Sequence, residues 1–121
     1  MENFSCWKEI FRHLKNAGYD VYPPGLKEGE ASSIYIVVRN AGRTKIPGHS
    51  SDRQYYDIML YVPRNRYSEI EIESRKLMKC LDKMFPTIRP TRHTEIPYWD
   101  YEVKAWQTSH EYVNYVKSER R

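Results

Sequence analysis

Residues 53–62 constrain the fold more than any other segment, because their side chains alternate as in a β strand. One side of this strand carries Tyr56, Ile58, Leu60 and Val62, and the other carries Tyr55, Asp57, Met59 and Tyr61. Residues 33–39 alternate in the same way and are largely apolar on both sides, which predicts a central strand. The two segments predict a long antiparallel hairpin, joined by a mobile loop over residues 40–52.

Two other segments carry apolar stripes with the helical period. The first segment spans residues 3–17, and Gly18, a residue typical of helix ends, follows it. Its stripe consists of Phe4, Trp7, Ile10, Phe11 and Leu14. The second helix is predicted to begin at Ser68, which forms a capping box with Glu71, and to end at Pro86. Its stripe consists of Ile70, Leu77, Leu81 and Met84.

The rest of the chain predicts one to three further strands: a short one over residues 88–94, and either one long bent strand or two over residues 101–106 and 110–116. Each amphipathic helix must bury its apolar side, so we expect both helices on one face of an antiparallel sheet. The sequence therefore predicts an α+β fold with the order α-β-β-α-β(-β). We expect a single domain over residues 1–121, in which residues 117–121 form a frayed tail.

No residues of the sequence have the spacing of a catalytic, cofactor-binding or metal site, so we expect no cofactor. The histidines are scattered, at His13, His49, His93 and His110. Cys6 and Cys80 fall within helical patterns, which predicts buried or semi-buried thiols in a reducing compartment. Three carboxylates, Glu95, Asp100 and Glu102, lie close together and leave a small enzyme as an alternative. No stretch approaches the ~18 apolar residues of a membrane span, so we expect no membrane contact.

The net charge of +4 is concentrated between residues 39 and 66, a segment that contains six basic residues and two acidic ones. Such a basic hairpin can contact phosphate groups or an acidic protein surface. Tyrosines interleave with the basic residues, so a module that binds single-stranded nucleic acid is the main alternative from the residues alone. The chain has eleven tyrosines, which suit either interfaces or half-covered strand faces.

The order of the predicted elements, and the residue pattern within them, can be followed over nearly the whole chain. The segments with the most distinctive pattern are NAGYDVY at residues 16–22, SIYIVV at 33–38, YYDIMLYVP at 55–63, the helix from Ser68, DYEVKAW at 100–106 and YVNY at 112–115. In these features the sequence resembles the small tail-terminator proteins of long-tailed bacteriophages and prophages, also called tail-completion or minor capsid proteins.

The resemblance implies a ring, usually of six copies, that caps the tail tube and meets the head connector. It implies the virion as the location, with assembly in the bacterial cytoplasm, passage of DNA through the ring, and neither enzyme activity nor cofactor. The partner-contact candidates are Arg43, Lys45, Arg53, Tyr55 and Tyr61. Another neck or head-closure role is compatible with the same resemblance.

Overall fold

A computed structural model describes residues 5–27 and 29–118. Within these residues the chain forms two α helices and one six-stranded sheet, so the predicted α+β class is confirmed. The elements are α1 Trp7–Asn16, β1 Val21–Tyr22, β2 Tyr35–Lys45, β3 Ser51–Pro63, α2 Ile70–Asp82, β4 Arg89–Thr94, β5 Tyr98–Asp100 and β6 Ala105–Lys117. Residues Asn3 and Phe4 of the first predicted helix lie outside the described residues.

The sheet is mixed, which corrects the expectation of a purely antiparallel one. Its strand order is β1-β2-β3-β6-β4, and β5 pairs with β6 next to β4. β1 runs parallel to β2, with Val21 opposite Ile36, whereas the other pairs are antiparallel. The parallel pair arises because the chain crosses back through residues 23–34 before it enters β2.

Both helices cover the same face of the sheet, as predicted; we call it the helix face. On β3 the predicted apolar side is buried completely, at Tyr56, Ile58, Leu60 and Val62. Ile10 and Leu14 from α1 join the same cluster, as do Leu77 and Leu81 from α2. Burying one such aliphatic side chain contributes about 1.5–3 kcal/mol, so this cluster supplies most of the stabilising burial.

The opposite side of the sheet, the far face, carries a smaller apolar cluster. Tyr35 of β2 stacks on Tyr61 of β3 with ring centroids 4.7 Å apart. The same cluster contains Ala31, Val37 and Ala105. The loop before β2 covers this cluster, and its Ala31 N–H donates to the Val103 carbonyl at 2.7 Å. One end of the far face is therefore closed.

The predicted loop over residues 40–52 is instead mostly strand. β2 continues to Lys45 and β3 begins at Ser51, which leaves residues 46–50 as the connection. Backbone pairing explains the difference, because Lys45 lies opposite Asp52 and β6 pairs along the other side of β3. A bulge at Gly42, whose φ is +107°, interrupts the register.

The second helix also begins differently from the prediction. A 3-10 helix, Arg64–Glu69, contains Ser68, and α2 starts after it. Glu69 precedes α2 without a side-chain capping bond, so the capping box is not formed. The 3-10 helix directly continues β3 at Pro63 and already turns the chain toward the helix face.

The last third of the chain forms a hairpin, β5 to β6, where one long bent strand or two were predicted over residues 101–116. Residues 101–104 are a turn between β5 and β6, not strand, and β6 then runs unbroken to Lys117. Lys117 is thus paired, opposite Ser51, and Ser118 N–H donates to the Ser50 carbonyl at 2.7 Å. These contacts correct the prediction of a tail frayed from residue 117, whereas residues 119–121 lie outside the described residues.

Candidate functional site

β2, β3 and β6 pair side by side in an arm, which we define as residues 40–55 and 113–118. Its β2 strand is exposed at every position from residue 39 to residue 45. Strict alternation would place Arg39, Arg43 and Lys45 on one face of the sheet. The bulge at Gly42 instead moves Arg43 opposite Gln54 and Lys45 opposite Asp52, which belong to the helix face. Arg43 Nε donates to Gln54 Oε1 at 3.0 Å.

The other two arm residues predicted to contact partners lie on the far face. Arg53 and Tyr55 are half-buried. Arg53 lies opposite Tyr115, whose side chain is 44% exposed. The arm therefore presents Lys45 on one face and the Arg53–Tyr115 pair on the other, so one flat partner surface cannot meet all the predicted contacts.

Tyr61 is the predicted contact that the structure removes from the surface. Its side chain is 8% exposed, because it lies in the far-face cluster against Tyr35. Its hydroxyl accepts a hydrogen bond from Gln107 Nε2. Burial raises the pKa of Tyr61, so the phenol stays protonated. This placement assigns Tyr61 to packing and does not support its role as a partner contact.

A groove follows the uncovered part of the far face; we call it the far-face groove. It has two sections of about 410 Å³ and 250 Å³, which share Arg39 and Met59. Its carboxylates are Asp57, Glu95, Asp100, Glu102 and Glu111, its cationic residues are Lys27 and Arg39, and His93 also lines it. Five carboxylates against two permanent cations and one histidine make the groove acidic, although the chain as a whole carries +4.

Some of these carboxylates are neutralised within the chain and others are not. Asp57 pairs with Arg39, and Glu95 Oε2 lies 2.8 Å from His93 Nε2. The hydrogen bond to Glu95 raises the pKa of His93. Glu111 Oε1 instead accepts from the neutral Thr91 hydroxyl at 2.7 Å. Within residues 5–27 and 29–118, no cation pairs with Glu111.

The carboxylates considered for catalysis do not converge on one reactive centre. Glu95 lines the section of the groove beside β4, whereas Asp100 and Glu102 line the section beneath the loop before β2. Asp100 Oδ1 accepts the Glu102 backbone N–H at 3.0 Å, a local turn contact. This geometry favours a charged surface over a general acid and base pair.

A second cleft of about 560 Å³ lies on the helix face, between α2 and residues 94–97. Its floor contains His110, which is 4% exposed and hydrogen-bonds at 3.2 Å to Thr94 and to Ser74. Burial lowers the pKa of His110, which weakens it as a base. The Thr94 hydroxyl lies next to Nδ1 of His110. In a hydrolytic triad a carboxylate occupies this position and stabilises the imidazolium, and a neutral hydroxyl does not supply that charge. We therefore interpret His110 as a structural residue.

Aromatic side chains gather where β5 and β6 meet the 3-10 helix. The Trp106 ring lies 4.6 Å from Tyr67 and 5.4 Å from Trp99, and Arg64 sits 5.4 Å over Trp99. The neighbouring Tyr101 is 81% exposed. Exposed aromatics next to a guanidinium are typical of protein contact surfaces. Sequence reasoning missed this cluster because its members come from three separate elements.

Within the part of the chain that the structure describes, no three His, Cys, Asp or Glu side chains are arranged to hold a metal ion. None of the helices there is both long and apolar enough to cross a bilayer. Cys6 and Cys80 are free thiols; Cys6 is buried and Cys80 is half-buried, and both agree with the prediction of buried or semi-buried thiols.

Compared with known proteins, the sequence matches no family model and no curated protein.

Proposed function

We propose that this chain is a structural subunit of a bacteriophage tail terminator, which assembles as a ring on the tail tube and joins it to the head connector. The proposal includes no catalytic step, cofactor or metal. The ring has six copies, as in the resembling proteins, and works in the virion after assembly in the bacterial cytoplasm. Support comes from the resemblance in sequence and from one structural observation, the exposed edge of β2.

Among the described strands, none pairs with the outer edge of β2 along the arm. β1 covers β2 only at Ile36 and Val37, and Trp7 Nε1 then donates to the Val38 carbonyl at 2.7 Å. Past Val38, no other strand of the described sheet lies on this side of β2. An unpaired strand edge is a common site for adding a strand from another chain. This observation carries the proposal that the chain assembles with partners.

The test uses the purified chain alone and with the tube and connector proteins encoded beside its gene. Size-exclusion chromatography with light scattering gives the mass of each species, and electron microscopy shows whether rings form. We expect rings, either in isolation or on the tube protein. A chain that stays monomeric and binds neither protein contradicts the proposal. A mass that corresponds to another closed ring size corrects the number of copies alone.

Nucleic-acid binding is the second candidate, and the far side of the arm favours it. Arg53 and Tyr115 are cross-strand neighbours, and Lys117 follows two residues later. A cation beside an exposed ring is a typical platform for single-stranded bases. Binding of single-stranded DNA, measured by fluorescence anisotropy, tests it. A phosphate-driven interaction weakens steeply with salt, so an affinity that is constant across salt concentrations excludes this mode.

A further inference from the structure

The arm and the far-face groove carry opposite charges. The arm contains four cationic residues, Arg43, Lys45, Arg53 and Lys117, against the single carboxylate Asp52. The far-face groove contains five carboxylates against two permanent cations and one histidine. Complementary potentials of this kind orient protein surfaces and exclude wrong partners.

The arm cannot occupy the far-face groove of its own chain. Both are built on the same paired strands, since β2 runs from Arg39 in the groove floor to Lys45 in the arm. At about 3.3 Å per residue, these two positions are roughly 20 Å apart along an extended strand. The continuous pairing of β2 with β3 keeps the arm directed away from the groove. The groove can therefore receive an arm only from a second molecule.

An arm-to-arm contact between two copies is disfavoured for the same electrostatic reason. It would place cations of one arm against cations of the other, and like charges at an interface are destabilising. If the arm of one copy binds the groove of the next, each copy contacts one neighbour through its arm and another through its groove. Such a head-to-tail contact repeats from copy to copy and closes into a ring when its rotation permits.

We infer that the basic arm of one copy binds in the acidic far-face groove of the next copy. The inference rests on the proposed function, because it assumes that the chain assembles with itself. Glu111 and Glu102 are the principal anionic contacts, since neither forms an ion pair within the described residues, whereas Glu95 at the rim of the groove pairs with His93. On the arm, Arg53 and Lys117 lie on the same face of the sheet and supply the matching cations.

Charge reversal on each surface tests the inference. The arm variant carries Lys45→Glu, Arg53→Glu and Lys117→Glu, and the groove variant carries Glu95→Lys, Glu102→Lys and Glu111→Lys. A control variant with Arg12→Glu, Lys79→Glu and Lys83→Glu makes the same change in net charge as the arm variant, at exposed positions of the helix side. Sedimentation velocity at low salt and high protein concentration measures self-association, and far-UV circular dichroism verifies folding.

We expect the arm variant and the groove variant each to lose self-association, while the control variant associates like the wild type. A mixture of the arm and groove variants should associate again, with the two variants alternating, because the intact arm fits the intact groove and the reversed arm fits the reversed groove. The chain with all six reversals should associate again. Raising the salt concentration should weaken the wild-type contact.

A milder groove variant guards against misfolding. Glu95→Gln, Glu102→Gln and Glu111→Gln remove charge with little change in shape, and we expect weakened association from them. Wild-type association in both reversed variants overturns the inference. A wild-type chain that is monomeric at low salt and high concentration also overturns it. If the arm variant loses DNA binding but keeps self-association, the arm meets nucleic acid and the inference is wrong.

Failure of the inference is distinguishable from failure of the proposed function. Rings that persist in both reversed variants leave the terminator proposal standing and show that the copies meet elsewhere, for example through the aromatic cluster at Trp99. A wild-type chain that stays monomeric and binds neither the tube protein nor the connector protein contradicts the terminator proposal itself. The association of the mixed variants depends on neither partner protein, so it tests the arm and groove contact directly.

Discussion

The two halves of β2 pair with β3 in the same ladder but lie in opposite environments. Residues 35–38 are buried, with side chains packed on both faces of the sheet, whereas residues 39–45 are exposed at every position. Backbone pairing with β3 continues through both halves, past one bulge. The strand therefore needs a packed core for its first half, whereas its second half depends on neighbouring strands and leaves its side chains available for partners.

Truncation in each half gives the largest expected contrast in stability. Ile36→Ala removes a fully buried side chain and should lower the free energy of unfolding by about 2–5 kcal/mol. Thr44→Ala, in the exposed half, should change it by no more than about 0.5 kcal/mol. Urea unfolding followed by circular dichroism measures both. Equal losses for the two variants would show that the exposed half carries as much of the folding energy as the buried half.

Tyr56 marks the boundary between the halves, because it lies opposite Asn40. Its hydroxyl accepts the Cys6 backbone N–H at 2.8 Å and donates to Asn114 Oδ1 at 2.8 Å. Tyr56→Phe leaves these buried groups without their partner and should lower the free energy of unfolding by about 1–3 kcal/mol. Tyr115→Phe is the matched control at a side chain that is 44% exposed. If Tyr56→Phe unfolds at the same urea concentration as the control, the Tyr56 hydroxyl does not stabilise the junction between the buried and exposed halves.

The bulge in the exposed half depends on Gly42, whose φ of +107° is costly for any residue with a Cβ. Gly42→Ala should lower the free energy of unfolding by about 1–2 kcal/mol, although open space surrounds the position of the added Cβ. Ala41→Ser, at the neighbouring exposed position, is the control. A Gly42→Ala protein as stable as this control would indicate that the arm relaxes to a regular ladder at no cost.

The sequence predicted the buried half well, because its signal is local. Alternation of Ile36 and Val38, and of Ile58 and Leu60 on β3, identifies the helix face without further information. The exposed half, NAGRTK at residues 40–45, has no apolar alternation, and its glycine is equally typical of a loop. Its strand conformation depends on β3 and β6, and pairing between segments so distant in sequence has no local pattern to reveal it.

The acidic groove was not predicted for a related reason. Asp57, Glu95 and Glu111 are distant in sequence, and only the pairing of β3, β6 and β4 brings them to one surface. Tyr61 shows the reverse case, because alternation places it correctly on the far face. Its burial follows from Tyr35, Gln107 and the covering loop, which single-strand patterns do not describe.

Two histidines extend the contrast between buried and exposed strands to a small dependence of stability on pH. His110 on β6 is buried, which lowers its pKa below the ordinary value, whereas exposed His93 on β4 has a pKa raised by Glu95. In the unfolded chain His110 binds a proton near pH 6.5, so the contribution of His110 to folding stability is complete above that pH. This contribution is lost as the pH falls toward the lower pKa of His110 in the folded protein. The contribution of His93 has the opposite sign: it is complete below about pH 6.5 and is lost as the pH rises through its higher folded pKa.

The burial of His110 should outweigh the His93 pair, which is exposed to solvent and screened. Urea unfolding at pH 7.5 and pH 5 measures the difference in stability between the two conditions. We expect His110→Gln to reduce the loss of stability on acidification and His93→Gln to increase it slightly. A larger acid loss in His110→Gln than in the wild type would mean that the imidazole is stabilised as a cation in the fold, and its interpretation as a neutral residue between Ser74 and Thr94 would then be wrong.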